Sequence, residues 1–286
     1  MTRRPAPPAR TWHWWAGLAL FAVITVWSAY EIGFRLPSAS DLSRGRSVLA
    51  ELANPDWGFV FRIREAWVET LSIAVIAAVV GNGIALAVSL LAGRVTSPNQ
   101  IAYHTSRSVL SIVRALPDVA YGLLFVAAVG TGTLAGILAL IMFNVGVNAK
   151  LTSETIDGVD TGPVEAADAA GSNRMQRAWV AVVPQIVPTY VSYSLYVFEL
   201  NIRASVVIGI VGGGGIGQVL RVQLNQFNFD NIGALIAALF VLVFAVDRVS
   251  LALRRRLICR PPGPGHRAGF VRRSPCWPAP QSSSPA

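Results

Sequence analysis

Glu165-Ala-Ala-Asp-Ala-Ala-Gly171, followed by Ser172-Asn-Arg-Met-Gln-Arg177 and closing at Pro184-Gln-Ile-Val-Pro188, is a small, Ala-rich, polar island between long apolar segments. It reads as two short helices with a bend. Pro163 suits a first helical turn, where its missing N–H would be unpaired in any case. Glu165 then falls in that turn and complements the positive end of the helix dipole. Gly171 can take the left-handed conformation that ends a helix. Asn173 with Gln176 signals a restart. Held at a membrane surface, such an elbow can dock into a groove on another protein. Taken alone, the stretch is equally an ordinary interhelical loop.

The rest of the chain supplies the context. Of its 286 residues 53% are hydrophobic and only 14% charged, and the mean hydropathy is +0.51. Soluble domains carry roughly a quarter charged residues, so the composition points to an all-α, polytopic membrane protein. A net charge of +9 raises nucleic acid as a partner. The basic residues instead crowd at the ends of apolar runs without aromatic interleaving, as topology determinants do. No nucleic-acid partner is expected.

Six spans are expected. Met1–Thr11 is Pro-rich and carries Arg3, Arg4 and Arg10, and Trp12–Tyr30 is an apolar run opening on Trp12, Trp14 and Trp15. A positive flank with interfacial Trp suits a retained first span more than a cleaved signal peptide. Glu31–Glu65 is a mixed polar outer loop, although its Arg35, Arg44, Arg46, Arg62 and Arg64 run against a simple positive-inside count. The later spans are Ala66–Ala92, Val109–Gly130, a short Thr133–Ala149 interrupted by Asn144 and Asn148, Gln185–Val211 and Asn231–Leu253. Gly212 through Asp230 is read as an outer connection, and Arg254-Arg-Arg256 seals the last span. Both termini then lie inside. The domain limits are 1–65 for tail, first helix and loop, 66–256 for the transmembrane core and 257–286 for a disordered Pro/Ser/Arg tail. Cys259 and Cys276 fall in that tail, where neither a disulfide nor a zinc site is expected.

Gly212, Gly214 and Gly217 satisfy G-x-G-x-x-G. A dinucleotide site needs a strand before it and an acidic residue beyond, within a soluble βαβ unit, so no nucleotide cofactor is expected there. Gly212, Gly213, Gly214, Gly215 and Gly217 read instead as a gate or hinge whose backbone is flexible or tightly packed, or as a mere turn. Lys150 is the only lysine, and no phosphate-binding loop precedes it. The three histidines, His13, His104 and His266, are scattered. No catalytic set and no metal site are expected, and any ATP hydrolysis would belong to another chain.

Intramembrane charges are costly and are functional candidates by default. Glu199 and Arg203 are four apart on the fifth span and share a helix face, with Asn201 between them. Arg114 and Asp118 repeat that spacing on the third span. Either pair reads as a translocation-path element or as a self-neutralising structural pair. Arg203 suits an oxyanion.

Glu165-Ala-Ala-x-x-x-Gly171 followed by Pro184 resembles the cytoplasmic coupling motif of binding-protein-dependent ABC importer permeases. Arg114-Ala-Leu-Pro-Asp118, Phe125-Val-Ala-Ala-Val-Gly130, Gly162-Pro-Val-Glu165, Phe198-Glu-Leu-Asn-Ile-Arg203 and Ile208-Gly-Ile-Val-Gly-Gly-Gly-Gly-Ile-Gly-Gln218 make it similar to the phosphonate-type permeases. The resemblance covers about Trp67 to Arg256. It departs from the family at Ala181-Val-Val183, where bulky aliphatics are usual, and at Gly213, commonly alanine. What the resemblance implies is a permease subunit in the plasma (inner) membrane, homodimeric or paired with a paralogue. It would work with two cytoplasmic ABC ATPases that bind ATP and Mg, and with an extracytoplasmic solute-binding protein. Glu165, Ala166, Ala167, Ala170 and Gly171 would meet the ATPase, the three alanines by allowing close approach. The solute would be a phosphonate or related phosphorus oxyanion. An importer of another small solute (phosphite, organophosphate, sulfonate or amino acid) and a passive channel stand as alternatives.

Overall fold

The computed structural model describes residues 12–34 and 38–258, and among them every regular element is helical. The N-terminal arginines, both cysteines, His266 and the tail beyond Ile258 lie outside the described residues. The chain divides into two compact units, up to Ala50 and from Glu51. The first holds α1 (Trp12–Glu31) and most of α2 (Ala39–Leu52). α1 exposes Trp14, Trp15, Phe21 and Trp27.

The second unit begins with α3 (Trp57–Arg62). Asp56 caps it by accepting from the Gly58 amide at 2.9 Å. The Arg62 guanidinium, 2.7 Å away, is the main cause holding the Asp56 carboxyl below the ordinary carboxylate range. α4 (Arg64–Ala92) follows, then α5 (Gln100–Ala115), α6 (Asp118–Val129) and α7 (Thr133–Asp157). The elbow contains α8 (Thr161–Ala169) and α9 (Arg174–Arg177). One π-turn, Ala178–Val182, leads into α10 (Val183–Ile208), and a second, Gly209–Gly213, leads out of it. α11 (Gly215–Asn225) and α12 (Phe229–Ile258) complete the chain. Pro184 lacks the N–H an α-helix needs there, and the helix widens into the first π-turn immediately before it.

Among the described residues four helical segments are long and apolar enough to cross a membrane: Arg64–Ala92, Thr133–Asp157, Arg174–Gly213 and Phe229–Arg255. The α5–α6 pair makes a fifth if it counts as one broken span. α1 is not among them. The core of the unit is α4 packed along α7, with α10 laid against both. Small residues make this possible. Ala74, Ala77, Ala78, Gly81 and Ala85 form the buried face of α4, and a Cβ on Gly81 would lie 2.7 Å from that of Asn144. Close backbone approach is the usual basis of helix association where lipid supplies no hydrophobic drive.

Three expectations are corrected. The third span is not continuous: α5 and α6 meet at 91°. Pro117 forces Leu116 to an extended ψ of 133°, so α5 ends at Ala115 and α6 restarts after the proline. Arg114 and Asp118 therefore lie on either side of a break and do not share a helix face. The fourth span is neither short nor interrupted. α7 runs on to Asp157, because Asn144 and Asn148 are fully buried and hydrogen-bonded to α4. Gly212 to Asp230 comprises a packed glycine turn, one of the alternatives the sequence left open, and the helix α11. Glu165 lies beyond the first turn of α8, which starts at Thr161 with Asp160 as its cap.

Candidate functional site

Three sites follow from this architecture. The first is the elbow. Asp160 accepts from the Gly162 amide at 3.0 Å and starts α8. Gly171, at φ +76°, ends it. The Gly171 amide donates to Asp168 O and the Ser172 amide to Ala167 O, the paired bonds of a Schellman cap. Asn173 and Gln176 exchange side-chain-to-backbone bonds in a capping box that starts α9. The elbow has two faces. Val164 and Ala167 are buried with Ile156, Ala181, Val182 and Ile186, and Leu86 and Leu90 of α4 pack against them. Glu165, Ala166, Ala170 and Gly171 are exposed. Ala167, expected to face a partner, instead plugs the elbow into its own membrane helices.

Polar anchors fix that plug. Arg177 donates to both carboxylate oxygens of Asp168 at 3.1 Å and to Val95 O at 2.9 Å. Gln185 accepts from the Asp160 amide at 3.0 Å and donates to Ala181 O at 2.7 Å. Asp157, not singled out from the sequence, accepts from the Arg94 amide at 2.7 Å and from the Arg107 guanidinium at 2.8 Å. One carboxylate thus ties the end of α7 to the backbone just after α4 and to the middle of α5.

The second site is a charge cluster on α10. Glu199 is buried and accepts from Arg203, as the spacing indicates, but also from Arg254 of α12 at 3.3 Å. Arg254, expected only to seal the last span, also lies over the Tyr196 ring at 5.9 Å. One buried carboxylate is shared by two guanidinia, so the cluster carries a net positive charge. The Arg203 side chain is 51% exposed and Arg254 21%, and the Arg254 Nε is buried without a partner. Asn201 points elsewhere. It is fully buried, and its amide donates to Ala74 O of α4 at 3.4 Å. Below it runs a polar ladder that the sequence did not reveal. Asn148 donates to Asn82 at 2.8 Å and to Ser194 at 3.3 Å, Thr152 donates to Asn148 at 3.1 Å, and Tyr190 donates to Asn82 O at 2.7 Å. Arg114 and Asp118 join neither group. Among the described residues neither makes an ion pair; Arg114 is exposed, and Asp118 accepts from the Val119 amide at 2.9 Å.

The third site is the glycine turn. Gly212, Gly214 and Gly215 have φ of +113°, +83° and +67°. Gly213 lies against Gly136 of α7, the Gly132 amide donates to Gly212 O at 2.8 Å, and the Ile216 amide donates to Thr70 Oγ1 at 2.8 Å. The turn is a crossing of three backbones, tightly packed rather than flexible. A helix, α10, and not a strand leads into it.

Comparison with known proteins agrees with this architecture. Residues 83–258 match the family model described as binding-protein-dependent transport system inner membrane component. The phosphite transport system permease protein PtxC of Stutzerimonas stutzeri is 34% identical over 249 residues, 85% of this chain and 90% of that protein. The phosphate-import permease protein PhnE of Mycolicibacterium smegmatis is 37% identical over 190 residues, 66% of this chain but only 36% of that longer protein. Among solved structures, an inward-facing form of the MetNI methionine ABC transporter aligns with a TM-score of 0.60 at 23% identity, over 68% of this chain and 95% of that one. That likeness shows the fold. The chain belongs to the family of binding-protein-dependent transport system inner membrane components, the permease subunits of ABC importers.

Proposed function

We propose that this chain carries a phosphorus oxyanion (a phosphonate, phosphite or phosphate) across the inner membrane by alternating access driven by a separate ATPase. What supports the solute class is the company the chain keeps: permeases named for phosphate and phosphite import, at 34 to 37% identity. The cluster of Arg203 and Arg254 on Glu199 is chemically suited to it, since guanidinia pair with oxyanions. The proposed topology has six crossings, counting α1 together with α4, the bent α5–α6 pair, α7, the Arg174–Gly213 run and α12. The elbow and both termini then face the cytoplasm. Two copies of the chain pair around the path, and an extracytoplasmic binding protein delivers the solute. ATP and Mg reside on the ATPase. This chain holds no ATPase site of its own.

The observation that carries the coupling role is the two-faced elbow. Its inner face is keyed into α4 and α10, and Glu165, Ala166, Ala170 and Gly171 are left for a partner. ATP binding favours one arrangement of the membrane helices only by binding it more tightly than the other. A small residue at the bend lets the ATPase surface approach. Gly171→Asp puts a charged side chain at φ +76°, where only glycine is unstrained, with nothing within 4 Å of its Cβ to disturb the fold. In vesicles holding the reconstituted complex, this variant is expected to insert normally yet lose uptake and binding-protein-stimulated ATP hydrolysis. Wild-type values for both would remove the coupling role. Arg203→Ala is expected to lower uptake at normal protein level while leaving the elbow's response to ATP intact.

A further inference from the structure

A polar cavity of about 350 Å3 lies between the α4–α5 connection and the start of α9, lined by Arg94, Asn99, Gln100, Tyr103, Arg174 and Arg177. Most of its polar atoms are already engaged. Asn99 accepts from the Ala102 amide, capping α5. The Tyr103 hydroxyl accepts from Arg107. Arg177 is spent on Asp168 and Val95 O, apart from a buried Nε without a partner. The guanidinia of Arg94 and Arg174 are exposed, and among the described residues neither has a carboxylate within ion-pair distance. Asp168 is the one carboxylate paired with an arginine of the pocket, so three guanidinia facing one acid leave a net charge of two.

Arg94 and Arg174 line the pocket without a carboxylate partner, and a phosphate group suits their fork of donors. Apolar residues that follow the lining residues in sequence indicate what the phosphate is attached to. Ile101, next to Gln100, is 78% exposed, and Met175, Trp179 and Val180 on the run after Arg174 are 66%, 52% and 72% exposed. Exposed Trp among aliphatic residues marks the bilayer interface. A basic pocket with apolar shoulders at that level fits a headgroup whose chains run on into the membrane. A free anion would leave those shoulders bare.

We propose that this pocket binds the phosphate of an anionic phospholipid headgroup. The lipid ties the inner end of α4, through Arg94, to the elbow, through Arg174, and so sets how stiffly the elbow follows its partner. The site is independent of the transported solute.

The test is lipid retention by the purified complex, read by native mass spectrometry after delipidation and addition of phosphatidylglycerol. The double variant Arg94→Gln/Arg174→Gln is expected to bind phosphatidylglycerol about tenfold or more weakly than wild type, at the scale of one phosphate contact per arginine. Arg94→Lys/Arg174→Lys is expected to recover part of that loss. Arg221→Gln, an exposed arginine on α11, serves as the control and is expected to change nothing. Equal retention by wild type and the glutamine pair, or an equal loss in Arg221→Gln, overturns the site. Displacement of the lipid by millimolar inorganic phosphate, with phosphate binding in lipid-free detergent, overturns the lipid assignment in favour of a free anion. Failure of solute uptake in the wild-type complex leaves each of these readouts unchanged.

Discussion

Gly217→Ala is expected to abolish the folded permease. A Cβ at this position runs into the carbonyl oxygen of Val206 and lies 2.7 Å from Gly209 Cα and 2.8 Å from the Ile210 amide nitrogen. Overpacking costs about 1–3 kcal/mol where side chains can adjust. Here every obstacle is backbone, so no rotamer change relieves it. The consequence reaches beyond one residue. Gly209, Gly213 and Gly217 form one crossing with Gly136, and α11 hangs on it through the bond from the Ile216 amide to Thr70. Size-exclusion profiles of the detergent-solubilised protein should lose the monodisperse peak. Gly83→Ala, with nothing within 4 Å of its Cβ, should keep both the peak and the Tm. Indistinguishable behaviour of the two variants would show that the glycine turn is not packed as described.

Glu199→Ala carries the second large effect. It removes the carboxylate shared by Arg203 and Arg254 and leaves two guanidinia without their partner in a low-dielectric setting. Removing one member of a buried ion pair costs about 3–5 kcal/mol. The lower end applies here, because Arg203 is half exposed and can turn to a wetter environment. Arg254, 21% exposed, bears most of the loss. The cycle with Arg254→Ala isolates the interaction. The double variant is expected to be more stable than the sum of the single effects predicts, because it no longer buries an unpaired arginine. Strict additivity in thermal melts would mean that the contact between α10 and α12 contributes nothing.

Local features were legible in the sequence and distant ones were not. Gly171 as a helix stop and Asn173 with Gln176 as a restart are written within a few residues, and both stand in the structure. The i,i+4 pairing of Glu199 with Arg203 is of the same kind. Arg254, 55 positions from Glu199, has no local signal and reads as one more inner-face arginine. Asp157 likewise acquires its role only when α4, α5 and α7 converge. Asn144 and Asn148 look like interruptions of an apolar run, because a sequence does not show that Ala77 O and Asn82 await them. Pro117 is a different case. Its bias on Leu116 is local and marks a helix boundary, but it sits within an apolar run from Val109 to Gly130 that is long enough for one span. For the glycine turn, close packing and flexibility demand the same residue type. Only the positions of Gly136, Val206 and Thr70 separate them.

The central claim is ATP-driven import of a phosphorus oxyanion through this chain. Its most direct test is uptake of radiolabelled phosphonate, phosphite and phosphate into vesicles containing this chain, its ATPase and its binding protein. The account predicts accumulation of at least one of the three that requires ATP and is lost when the ATPase is omitted. Flux of any of them without ATP would contradict it in favour of a channel. Binding-protein-stimulated ATP hydrolysis with uptake of none of them would contradict the solute class.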